Sequence, residues 1–422
     1  HSLRDAVRER VTAACPELAP ESIVLNATHT HTAPTAFVKD DLVAQDGAAQ
    51  PVDGIDLPVM DASNYIAWAA GHIASAAVEA WKKREPGALG YGLGHAVVGH
   101  NRRVAWMDGS IRMYGNTASN TFSHMEGTED HDVNLLATWN EQDDLTGVVI
   151  NVACPSQVDE TAFEISADYW HDTRVELRRR LGPGLFVLPQ CSTAGDQSPH
   201  RLWGKAAEDR MRRISGRTAR EDIGGRIADA VEAVLPWAAT ERLGRLPMAH
   251  VVSKPRLPRW KISEREVHQA DAEAEPHRRE YERLLNELRA NPEKRREPRW
   301  YIPVTSAYAK WRFSAGIRLR YESAQAQTGL PVELHAIRLG DVAIATNPFE
   351  CYLDYGIRIK ARSPAAQTLL VQLAGPAGYL PTARSIRGSG YGSAPSSCVV
   401  GPEAGDELVE ATLEAIGRTF GP

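Results

Sequence analysis

The sequence has few cysteines and no long apolar run. Its five cysteines are scattered through 422 residues without a Cys-x-x-Cys pair. This pattern excludes a zinc ribbon and a dense disulfide framework. No apolar stretch approaches the roughly 20 residues that a transmembrane helix needs. The sequence begins at His1 with neither an initiator methionine nor a signal peptide, so it leaves localisation undecided.

The charge balance is weak for a chain of this size. The formal net charge is -6, so nothing indicates nucleic acid or an anionic membrane surface as a partner. Hydrophobic residues make up 43% of the chain and charged residues 24%, as in a soluble globular protein. The length allows two average domains or one elaborated α/β domain.

Two histidines follow a short apolar run near the amino terminus. Residues 23–25 are Ile-Val-Leu, and the next segment contains His29 and His31. The pattern predicts a buried strand that ends by delivering both histidines to one face, because side chains two residues apart on a strand point the same way. Such a pair suits a metal or catalytic site, and it also suits a hydrogen-bonded strand end.

Polar side chains follow four later predicted strands. The four positions are Cys154, Ser198, Glu350 and Tyr379. Open α/β sheets place their sites at such strand ends. The sequence therefore predicts the α/β class, with mixed multi-stranded sheets, surrounding helices and an active site at strand ends. Ser198 is not in a G-x-S-x-G elbow, so nothing supports an α/β-hydrolase.

Two charged segments each allow two interpretations, a binding site or a solvated surface. Arg102 and Arg103 follow Asn101 and suit an anionic or polyhydroxy substrate, or the solvated edge of a hairpin. Residues 123–132 are rich in acidic and imidazole groups, including His131, and suit a metal, sugar hydroxyls or a solvated loop.

Periodicity predicts several other elements. Apolar spacing indicates helices over 61–83 and 206–235, and Gly340-Asp341 indicates a two-residue hairpin. Residues 262–298 are dominated by Glu and Arg, which predicts a charged helical insertion that acts as a lid or as a contact in a homo-oligomer.

Several motifs resemble those of the neutral/alkaline non-lysosomal ceramidase family. Residues 27–34, A-T-H-T-H-T-A-P, resemble the family's A-T-H-T-H-S-G-P, and residues 195–200, G-D-Q-S-P-H, resemble its G-D-x-S-P-N. Other blocks are similar in the same order: residues 101–103 to N-R-S, 347–350 to a P-x-E strand end, and 378–382 and 390–392 to the Y-V-T-T and Y-E-G-A blocks. The resemblance spans most of the chain, as that of a divergent member.

The resemblance implies a catalytic zinc ion and its surroundings. His29, Glu350 and Tyr379 would bind zinc, Ser198 would lie near the scissile amide, and His31 and Arg103 would lie beside the metal. Asn101 and Tyr391 would contact the substrate. These eight residues, together with Cys154 and His171, form the predicted site.

The chain departs from the family pattern at one metal ligand. Where the family has a histidine in an H-P-T block, this chain has Cys154 followed by Pro-Ser. The ligand would then be Cys154 as a thiolate, or His171 or His131. The family's strands before the first histidine and its carboxyl-terminal immunoglobulin-like domain are missing, so residues 1–422 are expected to form a single ceramidase-like catalytic domain.

We therefore expect a zinc-dependent hydrolase that cleaves an amide through metal-activated water. The alternative is a metal-dependent carbohydrate-active enzyme, either a glycan hydrolase or a lyase, on the same scaffold. A third possibility is a binding module without a metal. The expected partner is a small-molecule, lipid or glycan substrate, and not nucleic acid.

Overall fold

A computed structural model describes residues 2–36, 52, 55–324 and 329–421. The α-helices of this part are α1 Ser2–Ala14, α2 Ala62–Lys82, α3 Tyr169–Leu181, α4 Lys205–Ser215, α5 Ala219–Ala238, α6 Glu264–Ala290, α7 Ile302–Ala324, α8 Leu353–Arg362, α9 Ala383–Gly388 and α10 Pro402–Phe420. The strands are β1 Gly87–His95, β2 His100–Asn101, β3 Arg103–Trp106, β4 Ile111–Met113, β5 Phe122–Met125, β6 Asp132–Asn140, β7 Leu145–Val152, β8 Phe186–Cys191, β9 Gln197–Ser198, β10 Met248–Ser253, β11 Arg256–Pro258, β12 Gly329–Pro331, β13 Leu334–Leu339, β14 Val342–Thr346, β15 Glu350–Cys351, β16 Gln367–Val371 and β17 Tyr379–Leu380. None of the helices described is long and apolar enough to cross a membrane.

Two four-stranded sheets carry the fold. Their strand orders are β1-β6-β7-β8 and β10-β13-β14-β16. Each sheet has one parallel pair, β7 with β8 and β14 with β16, and the other neighbours are antiparallel. This mixed arrangement confirms the predicted α/β class with several sheets and surrounding helices.

The two sheets pack face to face between helices. On β6, Leu135 belongs to the core formed with α3 and α5, whereas Leu136 contacts Val342 and Leu369 of the other sheet. On β14, Ala343 belongs to the core formed with α8 and α10. The layers are therefore helix, sheet, sheet and helix. Because both faces of each sheet are buried, the inner strands are nearly continuous apolar runs.

A buried glutamine joins the strand ends where the site lies. Gln372 follows β16 and is 1% exposed. Its side-chain oxygen accepts hydrogen bonds from the backbone N–H groups of Ala194 and Cys351, each 3.1 Å long. Its side-chain nitrogen donates to Cys191 Sγ at 3.3 Å, and its backbone N–H donates to the Cys191 carbonyl. Gln372 thus fixes the segments that follow β8, β14 and β16 at one edge of the sheets.

Two local predictions are confirmed, and one needs a correction. The helix over 61–83 is α2, whose Asp61 cap accepts a hydrogen bond from the Ser63 N–H. Gly340, with φ 64°, forms the β13–β14 hairpin turn. The single helix over 206–235 is wrong, because Gly216 adopts a left-handed conformation that ends α4 and Thr218 caps α5.

The predicted strand over residues 23–25 is also wrong. This segment joins no sheet in the part of the chain that the structure describes. The backbone N–H of Ala27 donates to the Leu373 carbonyl, and the Thr28 carbonyl accepts from the backbone N–H and side chain of Ser156. The residues that follow this segment therefore bond to two loops at the strand ends and not to a neighbouring strand.

The charged segment 262–298 contains α6, which packs against α7. Tyr281 and Leu285 of α6 form a small core with Tyr308 and Trp311 of α7. At the other face of α7, the Phe313 ring lies 6.0 Å from the Tyr391 ring, measured between centroids. The helical pair is therefore in contact with one residue of the predicted site.

An ion-pair cluster attaches α1 to the second sheet. Arg8 Nη2 lies 2.8 Å and Arg4 Nη1 3.4 Å from Glu333 Oε1, and His335 Nε2 lies 3.1 Å from the same oxygen. Burial opposes ionisation of Glu333, but Arg8 and Arg4 outweigh it and lower the pKa of that carboxyl to about 2.

We expect Glu333→Gln to destabilise the protein in a pH-dependent way. A carboxyl whose folded-state pKa lies near 2 rather than 4.5 stabilises the fold fully above pH 4.5, and this effect is lost as the pH falls toward 2. The loss at pH 7 should be about 1–2 kcal/mol, allowing for partial solvation. Chemical denaturation between pH 3 and 7 measures it. A difference from wild type that stays constant over this range would contradict the assignment.

Candidate active site

His29 and Glu350 form the centre of the site. His29 Nε2 lies 3.2 Å from Glu350 Oε2. His29 has φ 64°, a left-handed conformation that is uncommon outside glycine. Glu350 is 8% exposed and begins β15. Burial opposes its ionisation, but His29 and Arg102 outweigh burial and hold the pKa of this carboxyl below its ordinary value.

Arg102 and Tyr379 complete this group. Tyr379 lies opposite Glu350 in the parallel β15–β17 pair. Its hydroxyl accepts a 3.2 Å hydrogen bond from Arg102 Nη2, which also donates to the Gly195 carbonyl at 2.9 Å. The same nitrogen lies 3.9 Å from Glu350 Oε2. Burial raises the pKa of Tyr379 well above its ordinary value.

A second polar cluster lies on the other side of Arg102. Arg102 Nη1 donates to the Tyr114 hydroxyl at 3.4 Å, and that hydroxyl donates to Glu160 Oε1 at 3.0 Å. His200 Nε2 lies 3.4 Å from the same carboxylate oxygen. The contact with His200, together with the hydrogen bond from Tyr114, outweighs burial and lowers the pKa of Glu160 to about 2.

Ser198 joins this second cluster. Its Oγ lies 3.2 Å from the Tyr114 hydroxyl and accepts from the His200 backbone N–H at 3.1 Å. Within the described residues, no imidazole makes a hydrogen bond to Ser198 Oγ of the kind that activates a serine nucleophile. Ser198 is therefore placed to orient Tyr114, and its catalytic role stays a prediction.

His31 lies beside His29, with ring centroids 5.0 Å apart. Burial lowers the pKa of His31, and the neighbouring His29 lowers it further. The Glu160 and Glu350 carboxylates act in the opposite direction but do not outweigh these effects. His31 is therefore neutral near pH 7 and able to accept a proton.

Arg103 lies away from this group. It is fully buried, forms an ion pair with Glu126 and donates to the carbonyls of Ser385 and Ser389 at 3.1 Å each. It also donates to the Tyr352 hydroxyl at 3.3 Å. The structure thus brings Arg102, and not Arg103, to the carboxylate and phenol of the site.

The two predicted substrate-binding residues differ in their surroundings. The Asn101 side chain is buried, donates to Asp196 Oδ2 at 2.9 Å and accepts from the Arg103 N–H at 3.0 Å. Tyr391 is 48% exposed, and its ring centroid lies 5.3 Å from that of Tyr379. Tyr391 is therefore accessible to a ligand, whereas the Asn101 amide is hydrogen-bonded to other residues of the protein.

The other predicted metal ligands are not brought to His29 and Glu350. Cys154 is fully buried, with Sγ 3.4 Å from the Pro155 carbonyl and 3.6 Å from that of Val98, and burial raises the pKa of its thiol well above the ordinary value. His171 is exposed on α3, and His131 pairs with Glu129. Among the residues described, no three His, Cys, Asp or Glu side chains form a group that could hold a metal ion.

Two of the donors that do converge have the spacing of zinc ligands. Two ligands bound to one tetrahedral zinc at about 2.0–2.1 Å lie about 3.3 Å apart. His29 Nε2 and Glu350 Oε2 are separated by 3.2 Å, and Tyr379 lies opposite Glu350 in the β15–β17 pair. A catalytic zinc site with three protein ligands keeps one position open. His29 and Glu350 therefore meet this spacing, and Tyr379 as the third ligand stays a prediction.

An apolar cavity of about 590 Å³ adjoins the site. His29 and Glu350 form part of its wall. Most of the remaining wall is apolar and comes from α1, α2 and the loops around residues 25–36 and 373–378, with Leu3, Leu25, Ile73 and Leu373. The polar centre thus borders a space that suits a hydrocarbon chain.

The predicted site left out three residues that the structure places there: Arg102, Glu160 and Tyr114. Arg102 had a usable signal, since it occupies the arginine position of the N-R-S match. Glu160 lies in the loop that follows the carboxyl end of β7, where polar side chains were expected. Tyr114 follows a short edge strand, and no motif marks it.

The fold and these side chains define a mixed α/β protein with a charged centre at its strand ends. Two solved structures are similar to it. The neutral ceramidase from Pseudomonas aeruginosa matches with a TM-score of 0.62 and 14% identity, over 99% of this chain and 64% of that chain. A ceramidase complexed with C2 matches with a TM-score of 0.62 and 14% identity, over 100% of this chain and 66% of that chain.

The chain spans just under two thirds of the length of these structures. No protein-family model matches the sequence, and no curated protein matches it. At 14% identity the likeness shows a ceramidase-like fold.

We expect Arg103→Met to lower the free energy of unfolding by about 3–5 kcal/mol, because it leaves the buried Glu126 carboxylate without its partner. Urea denaturation measures the loss. The matched control is Arg112→Met on the exposed side of β4, which should change stability by less than about 0.5 kcal/mol. Equal stability of the two variants would argue against a structural role for Arg103.

Proposed function

We propose that this protein is a zinc-dependent hydrolase that cleaves the amide bond of an N-acyl compound. The observation that carries the proposal is the group formed by His29, Glu350, Tyr379 and Arg102 at the wall of an apolar cavity. The ceramidase-like fold supports a hydrolase, and the cavity supports an acyl group as one half of the substrate.

Zinc held by His29, Glu350 and Tyr379 would supply Lewis-acid chemistry for an acyl carbonyl and for water. Arg102 is suited to stabilise the negative charge that develops on the carbonyl oxygen, because its guanidinium is held in place by the Gly195 carbonyl and the Tyr379 hydroxyl. Such fixed donors need no reorganisation during the reaction.

Two other residues would assist the reaction, one as a proton acceptor and one by orienting the leaving group. His31 is neutral and partly buried beside His29, so it is suited to take a proton from the attacking water. The Tyr114 hydroxyl, bound to Arg102 and Glu160, is placed to orient the leaving amine. Both assignments need only short hydrogen bonds to a substrate seated between the two polar clusters.

We expect purified protein to contain about one zinc ion per chain, and His29→Ala and Glu350→Ala to lose it, because each removes one of three donors. Cys154→Ala should retain zinc, since its thiol contacts two backbone carbonyls. Metal analysis after dialysis measures the zinc content of the wild type and of the three variants.

His171→Ala, which alters an exposed histidine, is the matched control for these variants. Wild type without zinc even after zinc is supplied, or loss of zinc from Cys154→Ala or His171→Ala at an unchanged fold, would contradict the proposed ligand set.

We expect the protein to release fatty acid from a fluorescent N-dodecanoyl amide, and Arg102→Met to lower kcat/KM by about 10²–10³-fold, as for the loss of one oxyanion donor. Arg112→Met is the control. Fluorescence-detected chromatography measures the product.

A uronate-containing oligosaccharide panel tests the carbohydrate alternative. The acidic segment 123–132 suggested this alternative. Two of its carboxylates form ion pairs within the protein, Glu126 with Arg103 and Asp130 with Lys360. Glycan cleavage with no amide cleavage would overturn the proposal, and the absence of both activities would favour a binding module.

A further inference from the structure

A second cavity, of about 530 Å³, lies on the other side of the site, and many of the residues in its wall are charged. Tyr114, Glu160 and His200 form the part that faces the second cluster. The charged side chains Arg201, Lys205, Glu208, Asp209, Arg212 and Arg226 form much of the remainder. This wall contrasts with the apolar cavity beside His29.

The two cavities lie at opposite ends of one chain of polar contacts. Glu350 borders the apolar cavity, and Glu160 borders the polar cavity. Between them, Arg102 contacts Glu350 at 3.9 Å and Tyr114 at 3.4 Å, and Tyr114 donates to Glu160 at 3.0 Å. A substrate lying across Arg102 would therefore have one half in an apolar space and the other half in a charged one.

The charges of the polar cavity are not fully compensated within the fold. Arg212 pairs with Asp209 and lies 3.9 Å from Glu208, and Arg226 pairs with Asp222. Lys205 forms no ion pair in the part of the chain that the structure describes, and the Arg201 Nε atom is buried without a hydrogen-bond partner. Arg201 also stacks on the Trp203 ring at 4.1 Å, which fixes its guanidinium in place.

From this contrast we infer that the substrate is an N-acyl amino acid, with the acyl chain in the apolar cavity and a carboxylate on the amine half bound by Arg201 and Lys205. The inference rests on the proposed amide hydrolysis. Guanidinium and ammonium groups bind carboxylates through charge-assisted hydrogen bonds. A long-chain amine would instead leave these cations desolvated and unpaired, which is costly.

A matched pair of substrates isolates the carboxylate. N-dodecanoyl-L-serine and N-dodecanoylethanolamine differ only in that group. We expect kcat/KM to be at least tenfold higher for the serine compound, and lower still for N-dodecanoylsphingosine. Equal rates for the pair, or faster cleavage of the ethanolamide or the ceramide, would overturn the inference.

Variants locate the carboxylate in the polar cavity. Lys205→Met and Arg201→Gln should each reduce the serine-to-ethanolamide ratio of kcat/KM about tenfold. Arg210→Gln alters an exposed arginine of α4 that does not line the cavity, and should leave the ratio unchanged. An unchanged ratio in both cavity variants would show that the carboxylate is bound elsewhere.

Binding measurements separate this inference from the proposed hydrolysis. Isothermal titration of the two compounds should give tighter binding of N-dodecanoyl-L-serine, and Lys205→Met should remove the difference. Preferential binding without turnover would refute the proposed hydrolysis and leave the carboxylate site intact. Turnover with no preference in binding or in kcat/KM would refute the carboxylate site alone.

Discussion

The site depends on the hydrogen bonds of one buried amide, that of Gln372. Its oxygen satisfies two backbone N–H groups from different segments, which would otherwise be buried without partners at a cost of about 1–3 kcal/mol each. The loop it holds comes very close to β15, since a Cβ at Gly195 would lie 2.3 Å from the Glu350 carbonyl oxygen. The carboxylate of Glu350 and the carbonyl that orients Arg102 are therefore positioned by the same contact.

Much of the fold could be predicted because the sheets are buried on both faces. Nearly continuous apolar runs such as residues 147–152 mark the inner strands, and the polar residues that follow them mark the edge where the strands end. Glu350 and Tyr379 were found in this way, and the structure pairs them across β15 and β17.

The features that could not be predicted from the sequence depend on side-chain direction and on contacts between distant segments. Arg102 and Arg103 are adjacent, but β2 ends before Arg102 and β3 begins after it, so only the folded backbone determines which guanidinium meets Glu350. The segment before His29 looked like a strand because its residues are β-branched, yet its hydrogen-bond partners come from loops far along the chain. Cys154 occupies the predicted strand end, and only its contacts reveal that the thiol is enclosed by backbone carbonyls.

The fixed position of Arg102 has a consequence for the end of the proposed catalytic cycle. Hydrolysis of an N-acyl amide produces a fatty acid, whose carboxylate has the charge that a buried guanidinium holds most firmly. Arg102 is 3% exposed and bound by Gly195 and Tyr379, so it has little freedom to follow a departing anion into solvent. An arginine that favours the reaction would then also slow the departure of its acidic product, and turnover would be limited by the release of the fatty acid.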